Sequence, residues 1–288
     1  MTAVIAGILT ALIWTVATLC SARASRRIGA PSTVAGVAIV GLIATVPLLA
    51  TAPPFSDSDT SQLPWLIVAG VGNILGLLLG YAALNRGKVS IVAPISSTEG
   101  AIAATIAILA GEPVTAVLLI CLSLVVTGIA LTAYGPEADT SDLDPSAAVR
   151  TGGPLFLAMA CSSALLFGVS LYAVGHSSGV VPAPWIVASG RIFGVLAIAL
   201  PLLLTRRFRM TREALPFVIV CGLAEVVGFL AVTWGSQDSI AITAVLASQF
   251  AVLTVIVSMF LGERVERHQL AGAAITGVGV AAVTLLRI

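Results

Sequence analysis

Three ionisable side chains sit inside long apolar stretches: Glu99 in APISSTEGAIAATIAILAGEP (93–113), Arg191 in ASGRIFG (188–194) and Glu225 in VCGLAEVVG (220–228). A charge at the centre of a hydrocarbon layer costs at least ~2.5–3.5 kcal/mol on insertion scales, so such groups face a cavity or pair with one another. An acid there can hold a cationic group or take up and release a proton. An arginine there can hold a carboxylate. Glu99 has polar company, with Ser96 one turn back on the same helix face and Ser97 and Thr98 beside it. Pro94, five residues upstream, removes a backbone donor and predicts a kinked or loosened helix. The carbonyls it frees are open to a ligand or to these hydroxyls. Two readings of Glu99 follow. It lines a central cavity as a cation or proton site, or it pairs with Arg191 and holds helices together. Arg191 in turn snorkels to an interface, pairs with Glu225 or Glu99, or binds a substrate carboxylate. Glu225 is a cavity acid or a member of the ion pair.

Weaker candidates surround these. Asn73 and Gln249 fall within apolar runs and must find hydrogen bonds across helices or to a ligand. Trp14 lies deep in the first run, where it frames a cavity or packs. Tyr172 and Trp234 fall near run ends, where an interfacial aromatic belt accounts for them. Gly72, Gly76 and Gly80 recur every four residues and predict a close-packed helix seam. His176 and His268 have no second ligand at metal spacing, so no metal site is expected. Cys20, Cys121, Cys161 and Cys221 are scattered through apolar runs and read as small buried hydrophobes. No HExxH, no paired acids at fixed spacing on one helix and no phosphate-cradling GxxxxGK appear. We expect neither an enzyme nor a cofactor, and no primary energy source.

The elements that position these residues follow from composition. The chain has 288 residues, 58% hydrophobic and 9% charged. A soluble domain carries about 25% charged residues, so the spare apolar surface here must face lipid. A net charge of +1 argues against nucleic acid. Ten apolar runs are long enough to cross a bilayer: 3–22, 32–51, 64–84, 89–110, 114–134, 152–174, 183–204, 214–234, 239–261 and 268–286. All must be helices, because backbone amides in lipid need partners within their own segment. The first run has no basic residue before it and reads as a retained helix rather than a cleaved signal. Of the 14 Lys and Arg, all but Arg191 and Arg287 lie in or beside the loops after runs 1, 3, 5, 7 and 9. By the positive-inside rule those loops are cytoplasmic and both termini lie outside, in a multi-pass protein of the plasma or inner membrane.

The runs repeat. LPWLIVAGVGNILG at 63–76 lines up with LPFVIVCGLAEVVG at 215–228, and AGEPV at 110–114 with LGERV at 261–265. The halves are 1–134 and 152–288, joined by a polar linker at 135–151. Each half holds five helices, so the second must enter the membrane from the opposite side. The expected fold is therefore all-α, with ten transmembrane helices as two inverted repeats and a site near the midplane between them. The intramembrane charges break the repeat: Phe250 aligns with Glu99, Val37 with Arg191 and Asn73 with Glu225.

This pattern resembles the EamA-type proteins of the drug/metabolite transporter superfamily. The resemblance rests on the paired five-helix repeats and the endings Gly111-Glu112 and Gly262-Glu263. It rests also on the aromatics Trp14 and Phe167 midway along the first helix of each half, and on the arginine of ASGRIFG. It implies a membrane carrier for a small metabolite or drug-like molecule, with Glu112 and Glu263 as structural landmarks. Many members carry a proline where this chain has Glu99 and Phe250, so the resemblance gives Glu99 no role. Relatives are usually drawn with cytoplasmic termini, opposite to the charge reading. The function expected is secondary transport by alternating access, with protons as a coupling ion through Glu99. The rivals are a structural or regulatory membrane protein and a channel. Expected partners are the small-molecule substrate and the lipid bilayer, and a homodimer is compatible with the reading.

Overall fold

The computed structural model describes residues 1–87, 89–133 and 154–260 and scattered positions between 271 and 282. The expected linker at 135–151, the landmark Glu263 and most of the run 268–286 lie outside the described residues. The described chain is helical, with no strand among those residues. In order come α1 (Thr2–Ile28), α2 (Ala30–Thr51), α3 (Leu63–Arg86), α4 (Val89–Ser96), α5 (Glu99–Leu109) and α6 (Ala116–Ala133). Then follow α7 (Pro154–Ser177), α8 (Ala183–Gly194), α9 (Leu200–Leu204), α10 (Leu215–Ser236), α11 (Ile240–Ala247) and α12 (Phe250–Phe260). Only Gly29 separates α1 from α2. Its φ of 81° suits a residue without a side chain, and Pro31 starts the next helix. A π-helical turn, Val195–Ala199, joins α8 to α9.

Among the described residues, six segments are long and apolar enough to cross a membrane: α1, α2, α3 with the turn before it, α7, α8 through α9, and α10. Their outward faces are greasy, with Ile5, Leu12 and Val16 exposed on α1 and Leu196, Leu200 and Leu203 on the α8–α9 segment. Inside, small residues let backbones approach. Gly72, Gly76 and Gly80 of α3 abut Ser170, Phe167 and Ser163 of α7. Ser163 Oγ and Ser170 Oγ donate across this seam to the carbonyls of Gly76 (2.8 Å) and Ala69 (2.7 Å). Hydroxyl-to-carbonyl bonds of this kind replace the hydrophobic drive that lipid cannot supply.

The expected spans 89–110 and 239–261 are not continuous helices. Each breaks in two, at Ser97–Thr98 and at Ser248–Gln249. These are positions the repeat pairs with each other. Pro94 lies inside α4, three residues before the first break, but Val245 stands in its place in α11 and the break recurs. Proline alone therefore does not cause it. At both breaks side chains take the carbonyls of the preceding turn. Thr98 Oγ1 donates to Ile95 O (2.8 Å), while Ser248 Oγ (2.7 Å) and Gln249 Nε2 (2.8 Å) donate to Val245 O. Such bonds offer the backbone an alternative to the helix ladder.

The packing is crosswise. α1 lies along α10, and α3 along α7; α2 packs on α10, and α3 on α8. α11 and α12 rest on α1, while α4 and α5 rest on α7. α4 touches α12, and α5 touches α11. Pairing α1 with α7, α2 with α8, α3 with α10 and α4–α5 with α11–α12 exchanges these contacts among themselves.

Candidate functional site

The two breaks place polar residues at the centre of the bundle. Glu99 is the first residue of α5, 4% exposed. Its carboxylate borders a cavity with about 70 Å³ in which the centre of a water molecule can move. That is room for a few waters or for a small organic molecule. α1 contributes Trp14 and Ser21 to the lining, α3 contributes Asn73 and Tyr81, and α4 contributes Ser96. Phe167 of α7, Glu225 and Phe229 of α10 and Phe250 of α12 complete it. Helices from both ends of the chain thus share one small, aromatic-walled space.

The two acids in it differ. Glu225 Oε2 accepts a hydrogen bond from Arg191 Nη2 at 3.4 Å, within an ion pair. Arg191 is 1% exposed and does not line the cavity. It packs against Gly41, and its guanidinium carbon lies 5.4 Å from the centre of the Phe229 ring. Its Nε and Nη1 have no hydrogen-bond partner among the described residues. Arg191 is thus buried and paired with Glu225 rather than extended to an interface. Glu99 has no hydrogen bond or ion pair among the described residues. The Glu99–Arg191 pair is not the one formed.

Of the remaining sequence candidates, Trp14 meets the Phe229 ring at a tilt, with centroids 5.4 Å apart, and the Phe250 ring edge-to-face at 6.2 Å. Its indole Nε1, and both polar atoms of Asn73, are buried without a hydrogen-bond partner among the described residues. Ser96 reaches the cavity from the last position of α4. Gln249 does not line it; its amide is turned to Val245 O. Several contributors were not singled out from the sequence, Phe229 and Cys221 among them. Phe229 takes a wall position beside Gly228, on which Trp14 packs. Cys221 sets its Sγ 3.2 Å from Tyr81 Oη, behind the lining. An aromatic following a helix glycine was the available signal for Phe229. Nothing in the sequence distinguished Cys221 from the other cysteines.

The cavity runs along α1 from Trp14 to Ser21 and along α3 from Asn73 to Leu84, toward the end that carries Arg23, Arg27 and Arg86. At the opposite end of the bundle lies a more polar hollow of about 340 Å³, bordered by Glu112, Tyr172, His176, Asp238 and Ser239. Between the two, α5 and α11 meet at Gly100. A side chain there would collide with the Ala244 carbonyl and Ser248.

Glu112 has a defined structural task. Ser239 Oγ (2.5 Å) and the Ala241 N–H (3.2 Å) donate to its carboxylate, while Ser239 Oγ accepts from the Ile242 N–H (3.2 Å). The acid that closes one broken helix thus caps the start of the other, where unpaired N–H groups and the helix dipole favour negative charge. Glu112→Ala is expected to cost about 1–2 kcal/mol, visible as a lower thermal midpoint in detergent. Glu112→Gln is expected to lose less, because the amide oxygen still accepts.

Comparison with known proteins agrees with this architecture. Residues 1–134 match the model of the EamA-like transporter family. An uncharacterized protein of Methanocaldococcus jannaschii is 36% identical over 96 residues, which are 33% of this chain and 70% of that protein. A solved crystal structure superposes with a TM-score of 0.71 over 99% of this chain and 97% of its own, at 16% identity, a likeness of fold. With its apolar spanning helices and its matching first half, the chain belongs to the EamA-like transporter family of the drug/metabolite transporter superfamily, multi-pass membrane proteins that transport small substrates.

Proposed function

We propose that this protein is a secondary carrier that works by alternating access, with Glu99 exchanging a proton as substrate moves. The observation that carries this reading is Glu99, without a hydrogen-bond or ion-pair partner among the described residues, lining a cavity that extends toward one end of the bundle, with the α5–α11 contact at Gly100 between it and a second hollow at the other end. The paired helix breaks and the exchange of contacts between helices support an arrangement of two inverted five-helix repeats, 1–134 and 152–288 about the linker 135–151. In such repeats, rocking one half against the other moves the opening across a fixed midplane site. The helices of α5 and α11, meeting at Gly100, form the seal in the conformation described. Charge asymmetry favours the loops after apolar runs 1, 3, 5, 7 and 9 in the cytoplasm, so the cavity here faces inward.

Purified protein in proteoliposomes is expected to drive saturable accumulation of substrate against its gradient when a pH gradient is imposed. Flux that only dissipates gradients points to a channel instead, and no flux with any tested solute points to a structural or regulatory role. A cysteine placed at residue 2 is expected to react with an impermeant thiol reagent from outside the cell. Labelling only from the cytoplasm overturns the orientation.

A further inference from the structure

We infer that the cavity is built for a compact organic monocation, an ammonium group carried on an aromatic or bulky apolar body, with Glu99 as its anchor. This rests on the carrier reading above and adds the class of cargo.

The charges in and behind the cavity decide the sign and the valence. Two carboxylates border the space, but the Glu225 charge is offset by Arg191 at 3.4 Å. What remains is the single charge of Glu99, which has no partner among the described residues. Arg191 is the one cation near the site among the described residues, and it lies outside the lining, with its guanidinium on the face of Phe229. A carboxylate entering the cavity would meet Glu99 and Glu225 before any guanidinium. The site therefore selects against anions, and a zwitterion's acid group would have to overcome both carboxylates to reach the few free donors in the wall, Asn73 Nδ2 and Trp14 Nε1. The walls select for the rest of the molecule. Trp14 packs against both Phe229 and Phe250, and all three line the same space as Glu99. Aromatic faces attract an organic cation electrostatically, most strongly where water is excluded. The unpartnered Asn73 amide and Trp14 Nε1 leave polar capacity in the wall for one further hydrogen bond to cargo.

Three compounds of nearly equal shape test the charge: phenethylamine, phenylalanine and 3-phenylpropanoate, titrated by calorimetry into the purified full chain in detergent at neutral pH. Phenethylamine is expected to bind, with phenylalanine at least about tenfold weaker and 3-phenylpropanoate not at all. Glu99→Gln is expected to weaken phenethylamine more than about thirtyfold, the scale of losing one partner of a desolvated charge pair. Either Arg191→Gln or Glu225→Gln alone leaves an uncompensated buried charge and can fail to fold. The double variant Arg191→Gln/Glu225→Gln removes the pair together and avoids that penalty. It is expected to weaken phenethylamine by less than tenfold, which separates a Glu99 anchor from a Glu225 anchor.

Tighter binding of phenylalanine or 3-phenylpropanoate than of phenethylamine overturns the cation assignment and leaves the carrier reading standing. So does the absence of binding by all three. If the double variant loses as much as Glu99→Gln, the anchor is Glu225 and the assignment to Glu99 is overturned. Phenethylamine that binds through Glu99 yet never crosses a proteoliposome membrane supports the site and overturns the carrier.

Discussion

Replacement of Glu99 by glutamine is expected to abolish proton-driven transport while leaving the protein folded. Glutamine matches the shape of the protonated acid but can neither ionise nor release a proton. The carboxylate has no partner among the described residues, so the substitution orphans no other charge. It removes a group that is costly to bury ionised, and the thermal midpoint is expected to stay level or rise. Transport driven by a pH gradient is expected to fall by about 2–5 kcal/mol in effective transition-state or binding free energy, some thirtyfold to several thousandfold. Expression level, thermal unfolding and proteoliposome flux measured on the same preparation provide the check. Full transport by Glu99→Gln removes the proton role. Lost expression indicates that Glu99 holds helices together.

Arg191 is expected to behave in the opposite way. Its side chain is 1% exposed and its Nη2 lies 3.4 Å from Glu225 Oε2. Arg191→Ala removes the only described partner of that acid and empties the space against Gly41 and Phe229. Breaking a buried pair by deleting one member costs about 3–5 kcal/mol, because the other charge is left without compensation. We expect a large drop in thermal midpoint and in yield of folded protein. Arg191→Lys restores the charge but not the flat guanidinium over the ring, so it is expected to recover part of the loss. The double substitution Arg191→Gln/Glu225→Gln is expected to be close to wild type in stability, since both charges leave together. A wild-type midpoint for Arg191→Ala would show that the pair contributes nothing to the fold.

The contrast between these two residues was open in the sequence. Glu99, Arg191 and Glu225 were each conspicuous, since one charge in an apolar run stands out against a cost of several kcal/mol. Their pairing was not legible, because it depends on which faces of α8 and α10 meet. Residues 34 positions apart can face or miss each other with a small change in helix rotation. Gln249 divides its amide, with Nε2 on its own helix and Oε1 buried without a partner among the described residues. It reads as a cavity candidate by depth, yet its amide satisfies the backbone of its own broken helix. Pro94 invited a local account of the first break. The second break, with Val245 at the matching position, shows side-chain hydroxyl and amide bonds acting where no proline is present.

Composition and periodicity settled the class of solvent this chain meets, because nothing else accommodates 58% apolar residues with 9% charge. They also located the seam Gly72-Gly76-Gly80, since a four-residue spacing of glycines stacks on one helix face. Glu112 was legible as a landmark but not as a cap. Its partners Ser239 and Ala241 lie more than a hundred residues away and come within reach only when α5 and α11 cross. Packing of α1, α10 and α12 brings Trp14, Phe229 and Phe250 to the same cavity as Glu99. Spacing along the chain reports what each helix can offer. Three-dimensional packing assigns the partners, and so determines that Glu225 is compensated and Glu99 is left facing the cavity.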